Sequence, residues 1–177
     1  MGEQESSKWE GETIVELKLT PQQVWPLIAD DFCSLQKWFP HLENCYLVQG
    51  VQGEPGMVRC CESTQFGGDG SVRFAKERLL TIDPVQMCLS YDIVDNDVGF
   101  KSYVATMRLF PIEGGGVGGG GGGGEDDGKC VGCKFVWTFV ADPVEGFTLE
   151  GLCELFKGIA HGMATKMEAA FPQTQLS

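Results

Sequence analysis

The first hydrophobic pattern along the chain is a strict alternation near the N-terminus. Within residues 8–19 the segment ETIVELKL alternates apolar and polar residues, a period of two that predicts a half-buried β-strand. The following TPQQ motif, beginning at Thr20, combines a capping threonine, a proline and a glutamine three residues after the threonine. Such a motif indicates a helix start. We therefore predict a short helix to about Ala29 and a second short helix over residues 32–38.

Six more segments have the composition of strands, rich in β-branched and aromatic residues and bounded by turn residues. The last, KFVWTFVAD, is typical of a half-buried strand because Phe135, Trp137 and Phe139 share one face. The six predicted strands cover residues 45–50, 57–64, 72–82, 87–95, 100–110 and 134–142.

The pattern changes period near the C-terminus. Over residues 148–171 the apolar positions recur at spacings of three and four, which predicts one long amphipathic helix. Gly158 and Gly162 lie one turn apart on this helix. Two interpretations stay open: the pair lets the helix approach a sheet closely, or it only weakens the helix.

This order of elements predicts an α+β fold in a single domain over residues 8–172. Seven strands in mostly meander order form a curved antiparallel sheet, and the long C-terminal helix covers its concave apolar face. Two short helices follow the first strand. Residues 1–7 and 173–177 are predicted to be a flexible N-terminus and a tail.

A glycine-rich tract over residues 114–128 is predicted to be a flexible, acidic hairpin loop. Its end resembles a phosphate-binding loop, but the tract leads into a strand instead of opening a helix. Cys130 and Cys133 have the spacing of a redox or zinc motif, yet no second pair completes a four-ligand set. We expect neither a metal nor a cofactor.

The net charge of the chain argues against two classes of binding partner. The formal net charge is -12, from 13 basic and 25 acidic residues, and it opposes binding to nucleic acids or anionic membranes. No apolar run suits stable membrane insertion, and no secretory pattern opens the chain, which places the protein in the cytoplasm with its eight cysteines reduced. We expect a monomer or a weak dimer.

Several motifs, in this order, resemble a known superfamily: TPQQVWPLI, KWFPHL, VRC, AKERL and YVATM, followed by the terminal helix. They are similar to START-like, helix-grip proteins, which include the birch-pollen-allergen-like and the polyketide cyclase/dehydrase and lipid transport proteins. Among these, the plant lachrymatory-factor synthase-like proteins resemble the chain most. The resemblance runs from residue 8 to residue 171 and implies a helix-grip fold around a hydrophobic ligand.

The resemblance also implies a catalytic set. In the synthase family an arginine and a glutamate on neighbouring strands act with a tyrosine, and by motif these fall on Arg59, Glu77 and Tyr103. Phe100 stands where the synthase has a tyrosine. Alternation in the AKERL segment independently favours an inward Glu77, which would need a guanidinium partner if buried. The alternatives are a buried salt bridge that only stabilises the sheet, or two exposed charges.

Two functions follow. The first is binding of a small hydrophobic or amphipathic plant metabolite, with Arg59 anchoring its polar end and Tyr91 and Tyr103 hydrogen-bonding it. The second is a cofactor-independent isomerase or cyclase in which Glu77 moves a proton while Arg59 and Tyr103 hold an oxygen. The predicted ligand-binding residues are Tyr91, Phe100, Phe135, Trp137, Phe139, Leu152, Phe156 and Met163. These side chains line either a cavity or a filled core, and only the volume separates the two.

Overall fold

The computed structural model describes residues 7–66, 69–114 and 130–172. The predicted N-terminal segment up to residue 6, most of the glycine-rich loop and the C-terminal tail lie outside these residues. The strands are β1 (Trp9–Leu17), β2 (Leu42–Gln49), β3 (Val58–Ser63), β4 (Arg73–Asp83), β5 (Cys88–Asn96), β6 (Val104–Glu113) and β7 (Cys130–Ala141). The helices are α1 (Pro21–Ala29), a 3-10 helix (Phe32–Lys37) and α2 (Leu149–Ala169).

The seven strands form one antiparallel sheet in the order β1-β7-β6-β5-β4-β3-β2. From β2 to β7 each strand pairs with the next along the chain, which confirms the predicted meander. β1 pairs instead with β7, so α1 and the 3-10 helix carry the chain from one edge of the sheet to the other. The predicted α+β architecture is confirmed.

The capping box at the start of α1 forms as the TPQQ motif predicts. The Thr20 hydroxyl accepts a hydrogen bond from the Gln23 backbone N–H at 3.2 Å, and the Gln23 side chain accepts one from the Thr20 N–H at 2.9 Å. Thr148 caps α2 through its hydroxyl alone, which accepts a hydrogen bond from the Gly151 N–H at 3.0 Å. Each cap satisfies N–H groups that a helix start otherwise leaves unpaired.

One strand begins later than its pattern predicts. The apolar pattern starts at Phe100, but β6 begins at Val104. The Asn96 side chain accepts hydrogen bonds from the backbone N–H groups of residues 98–100, holding them in a turn. Backbone donors bound to this side chain are not available to a strand ladder.

α2 covers the concave face of the sheet with its apolar side. Leu152, Phe156, Ile159 and Met163 are buried there. The end of β1 is also tied to the end of the helix, because the Lys18 backbone N–H donates to the Glu168 carboxylate at 2.9 Å. The core therefore lies between α2 and the sheet.

Gly158 and Gly162 of α2 have different environments. A Cβ atom added at Gly162 would lie 2.7 Å from Cγ of Pro40, whereas one at Gly158 would meet no atom within 4 Å. Close approach is therefore needed only at Gly162, and the neighbour is the loop after the 3-10 helix, not the sheet.

We predict opposite effects of alanine at these two positions. Gly158→Ala should raise the free energy of unfolding by about 0.5–1 kcal/mol, because alanine loses less backbone entropy in a helix. Gly162→Ala should lower it by about 1–3 kcal/mol, because the proline ring must move. Urea denaturation followed by circular dichroism measures both variants. Stabilisation by Gly162→Ala would contradict the close packing.

Candidate functional site

A small, partly open cavity lies between the sheet, α2 and the chain that follows the 3-10 helix. Its volume is about 50 Å³. Both β3 and β4 contribute to its wall, as do β5, β6 and β7 through their inward side chains. Seven of the predicted site residues line it together: Arg59, Glu77, Tyr91, Phe100, Tyr103, Trp137 and Phe156. Among the described residues, four other predicted ligand contacts are buried in the core without lining this cavity: Phe135, Phe139, Leu152 and Met163.

Arg59 and Glu77 face each other across β3 and β4, as directly paired positions of the ladder. The arginine side chain is 2% exposed, and the glutamate side chain is 14% exposed. Nε of Arg59 donates to Oε2 of Glu77 at 2.6 Å, and Nη2 lies 2.5 Å from the same oxygen. The two residues therefore form an ion pair that is almost wholly removed from water.

The protein itself contacts every nitrogen of the Arg59 guanidinium. Nη1 donates to the Phe32 backbone carbonyl at 2.8 Å, and the Phe32 ring lies 3.7 Å from the guanidinium carbon. Burial acts to lower the pKa of Arg59, but the Glu77 carboxylate and its neighbours outweigh burial and raise it. Arg59 therefore stays charged, holds Glu77 and ties the 3-10 helix to the sheet.

The two carboxylate oxygens of Glu77 differ in their surroundings. Oε2 receives both contacts from Arg59 and also lies 3.8 Å from the Cys61 thiol. Oε1 makes no hydrogen bond with any residue in the described ranges. Because Glu77 lines the cavity, Oε1 is the carboxylate oxygen left for a bound molecule.

Two buried tyrosines, Tyr91 on β5 and Tyr103 just before β6, add hydroxyl groups to the wall. Burial raises the pKa of Tyr91 well above its ordinary value, and burial followed by the Glu77 charge raises that of Tyr103. Both phenols therefore keep their protons at neutral pH and are able to donate hydrogen bonds. The ligand-binding hypothesis of the sequence analysis assigns hydrogen bonds with a ligand to both tyrosines, and the family resemblance also implies a role for Tyr103.

The indole N–H of Trp137 is a polar feature that the sequence analysis missed. The residue is 4% exposed, and its Nε1 has no hydrogen-bond partner among the described residues. The Tyr103 hydroxyl lies beside it without forming a well-directed bond. Alternation identified Trp137 only as an apolar wall residue, although a buried indole N–H usually requires an acceptor.

Aromatic packing explains why the cavity is small. Trp137 and Phe156 stack with ring centroids 4.7 Å apart, and Phe139 meets Phe156 edge to face at 5.2 Å. Tyr103 stacks on Phe139 at 5.8 Å. Typical ligand pockets enclose roughly 300–1,000 Å³, so the concave face is mostly filled core, with a small chamber beside the Arg59–Glu77 pair.

The cysteine pair with metal-like spacing lies at the start of a strand. β7 begins at Cys130, so the pair with metal-like spacing forms the start of a strand, and Cys133 is fully buried. In the part of the chain that the structure describes, no cluster of three or more histidine, cysteine or acidic side chains could hold a metal ion. No helix in that part is long and apolar enough to cross a bilayer. The phosphate-loop-like residues 123–129 lie outside the described ranges.

Comparison with solved structures finds the same fold elsewhere. Ara h 8.0201 superposes with a TM-score of 0.64 at 16% identity, covering 93% of this chain and 97% of that one. The protein XoxI from Bacillus cereus superposes with a TM-score of 0.63 at 23% identity, covering 92% and 94%. At these identities the likeness shows the fold alone.

Sequence comparison finds relatives in Arabidopsis thaliana. MLP-like protein 34 is 27% identical over 107 residues, which are 59% of this chain and 33% of that protein. MLP-like protein 31 is 26% identical over 107 residues, 59% of this chain and 61% of that protein. The chain thus matches a third to three fifths of these relatives' lengths.

Residues 8–172 match the family described as polyketide cyclase / dehydrase and lipid transport. With this match over nearly its whole length, and with the helix-grip arrangement of sheet and α2, the chain belongs to that family, within the START-like superfamily.

Proposed function

We propose that the protein binds a small hydrophobic or amphipathic metabolite in the cavity between the sheet and α2. One observation carries the proposal: a small chamber with mainly apolar walls is lined by Glu77, which has a free carboxylate oxygen, and by the two tyrosines Tyr91 and Tyr103. Few polar groups in an apolar pocket orient a ligand, while the apolar walls supply most of its affinity. The phenols suit a ligand that carries an oxygen acceptor.

In this proposal Arg59 does not anchor the polar end of the ligand, although its charge first indicates that role. Its three nitrogens already contact Glu77 and the Phe32 carbonyl, so moving it onto a ligand would break a buried ion pair. Breaking such a pair is costly. In this proposal Arg59 positions Glu77, and the tyrosines bind the ligand's oxygen.

The cavity's size limits the ligand or requires the wall to move. Phe66 and Val98 line both the cavity and a surface cleft of about 420 Å³. Phe66 packs edge to face on Phe100, with ring centroids 6.2 Å apart. Rotation of the Phe66 side chain would join the cleft to the cavity, which offers an entrance and room for a longer apolar chain.

We predict that short aliphatic ketones, from butanone to hexanone, bind here. In a ¹⁵N-labelled protein the indole signal of Trp137 should shift and saturate during titration. The indole of Trp38 should not, because its Nε1 already donates to Asp31 at 3.1 Å. Tyr103→Phe should weaken binding roughly 2- to 10-fold, the range expected for one hydrogen bond. Trp137→Phe assigns the signal, and no saturable shift with any ketone would refute the proposal.

A cofactor-independent isomerase or cyclase is the second candidate, favoured by the unpartnered Oε1 of Glu77. A carboxylate in an apolar chamber is able to take a proton from a bound molecule, while the Tyr91 and Tyr103 hydroxyls stabilise charge that develops on oxygen. The same ketones in D₂O discriminate between the two functions. If Glu77 moves protons, wild type should exchange the hydrogens beside the carbonyl faster than Glu77→Gln does, at a temperature where both are folded. Equal exchange rates would contradict proton transfer by Glu77, and binding would then be the only one of the two functions that remains.

A further inference from the structure

Two cysteines that the proposed function does not use lie in contact beside the site. Cys45 on β2 and Cys61 on β3 are directly paired across the ladder, and their sulfur atoms are 3.7 Å apart. Both residues are buried, at 7% and 8% exposure. Because they are opposite each other on one face of the sheet, their side chains run side by side.

Their backbone positions suit a covalent bond. Opposed residues on antiparallel strands have Cα atoms about 4.5–5.5 Å apart, within the roughly 4.4–6.8 Å that a disulfide spans. The sulfurs must approach from 3.7 Å to about 2.05 Å. β2 is an edge strand, and its register with β3 shifts on both sides of Cys45, so it is less constrained than an inner strand.

The surroundings also favour a thiolate on one of the two sulfurs. The hydrogen bond from Cys61, opposed by burial and helped by the nearby Arg59 charge, lowers the pKa of Cys45. The same hydrogen bond and burial raise the pKa of Cys61. The pair therefore loses its first proton from Cys45, while Cys61 keeps its own. A thiolate, not a thiol, is the nucleophile in sulfur oxidation.

The cavity reaches this pair at Cys61. The Cys61 residue lines the cavity, whereas Cys45 does not, and the Cys45 sulfur lies 3.7 Å from that of Cys61. A cavity of about 50 Å³ has room for a molecule as small as hydrogen peroxide, whereas the tripeptide glutathione is too large to enter unless the wall moves.

We propose that Cys45 and Cys61 are a site of reversible oxidation by hydrogen peroxide, which joins them in a disulfide. The sulfur of one cysteine attacks one peroxide oxygen, the O–O bond breaks, and the departing hydroxide takes that cysteine's proton to leave as water. The other cysteine then attacks the sulfur of the resulting sulfenic acid, the S–O bond breaks, and its proton leaves with the hydroxyl as a second water. Peroxide is reduced, and the two thiols are oxidised.

The disulfide would change the neighbouring ligand site around Glu77. In the reduced pair Cys61 lies 3.8 Å from Oε2 of Glu77, the oxygen that also receives Arg59. Drawing the Cys61 sulfur toward Cys45 removes this contact and shifts the cavity wall. The redox state of Cys45 and Cys61 is thus linked to the contacts of the Arg59–Glu77 pair.

The test is thiol mapping on the full chain. Wild type is treated with hydrogen peroxide, its remaining thiols are alkylated in denaturant, and digested peptides are analysed by mass spectrometry. We expect a peptide that joins Cys45 to Cys61 and lacks label on both, and full labelling again after dithiothreitol. Oxidised glutathione should form this peptide at least ten-fold more slowly. If both cysteines stay fully labelled while other cysteines oxidise, the proposal is wrong.

Matched variants separate this pair from its neighbours. Cys60 is the adjacent residue on β3 and belongs to the other face, beside Tyr46. Cys60→Ser should keep the linked peptide, whereas Cys61→Val, apolar and of similar size, should abolish it. The disulfide should also raise the melting temperature of wild type and leave that of Cys61→Val unchanged, because it closes a loop in the unfolded chain. A cross-link from Cys45 to another cysteine in either variant would overturn the assignment.

Discussion

Glu77→Gln is expected to lower the free energy of unfolding by about 3 kcal/mol or more with no ligand present. The substitution leaves the Arg59 guanidinium, which is 2% exposed, without its charged partner. Glutamine is of similar size, so the loss comes from charge and not from packing. Urea denaturation followed by circular dichroism measures it.

A second ion pair on the same strand provides the control. Arg78 contacts Asp92 at 2.5 Å, with side chains 45% and 19% exposed, on the outer face of β4. Asp92→Asn should cost less than about 1 kcal/mol, because water solvates the remaining arginine. The double variant Arg59→Met/Glu77→Leu should recover most of the stability that Glu77→Gln loses, since it removes both buried charges. Similar small losses for Glu77→Gln and Asp92→Asn would show that Arg59 is not held as described.

Phe156→Ala is expected to destabilise the protein by about 3–5 kcal/mol. Phe156 joins α2 to the sheet, because its ring stacks on Trp137 at 4.7 Å and meets Phe139 at 5.2 Å. Removing it takes the stacking partner from Trp137, leaves Phe139 with Tyr103 alone, and opens the chamber toward the helix. The change in unfolding free energy is again measured by urea denaturation.

Phe110→Ala is the matched control, because this phenylalanine is 40% exposed on the outer face of β6. It should cost less than about 1 kcal/mol, the usual range for surface positions. The chamber enlarged by Phe156→Ala should also bind hexanone more tightly, relative to butanone, than wild type does. An unchanged preference would mean that the chamber does not extend toward α2.

The elements and their order follow from local patterns. The TPQQ motif determines where α1 begins, because the cap forms among residues three apart and needs no distant partner. Alternation determines which residues of β4 and β7 face inward, because successive side chains of a strand point to opposite faces. The start of β6 was predicted too early because the Asn96 side chain, through its bonds to residues 98–100, competes with the ladder.

The site depends on distances that no local pattern contains. Motif resemblance brought Arg59 and Glu77 to attention, but only the packed structure shows that Phe32, far away in sequence, takes a third guanidinium contact. Likewise, the contact between Cys45 and Cys61 requires the register of β2 on β3. Neither follows from spacing along the chain.

The sequence by itself determined the helix-grip order of strands and helices, the inward set of aromatic residues and the family. Tertiary structure alone decided that these aromatics mostly fill the concave face, leaving about 50 Å³ beside Glu77. The physical reason is that periodicity reports only which side of an element is apolar. Whether two apolar sides close completely depends on how rings such as Trp137 and Phe156 stack, which is set by the whole core at once.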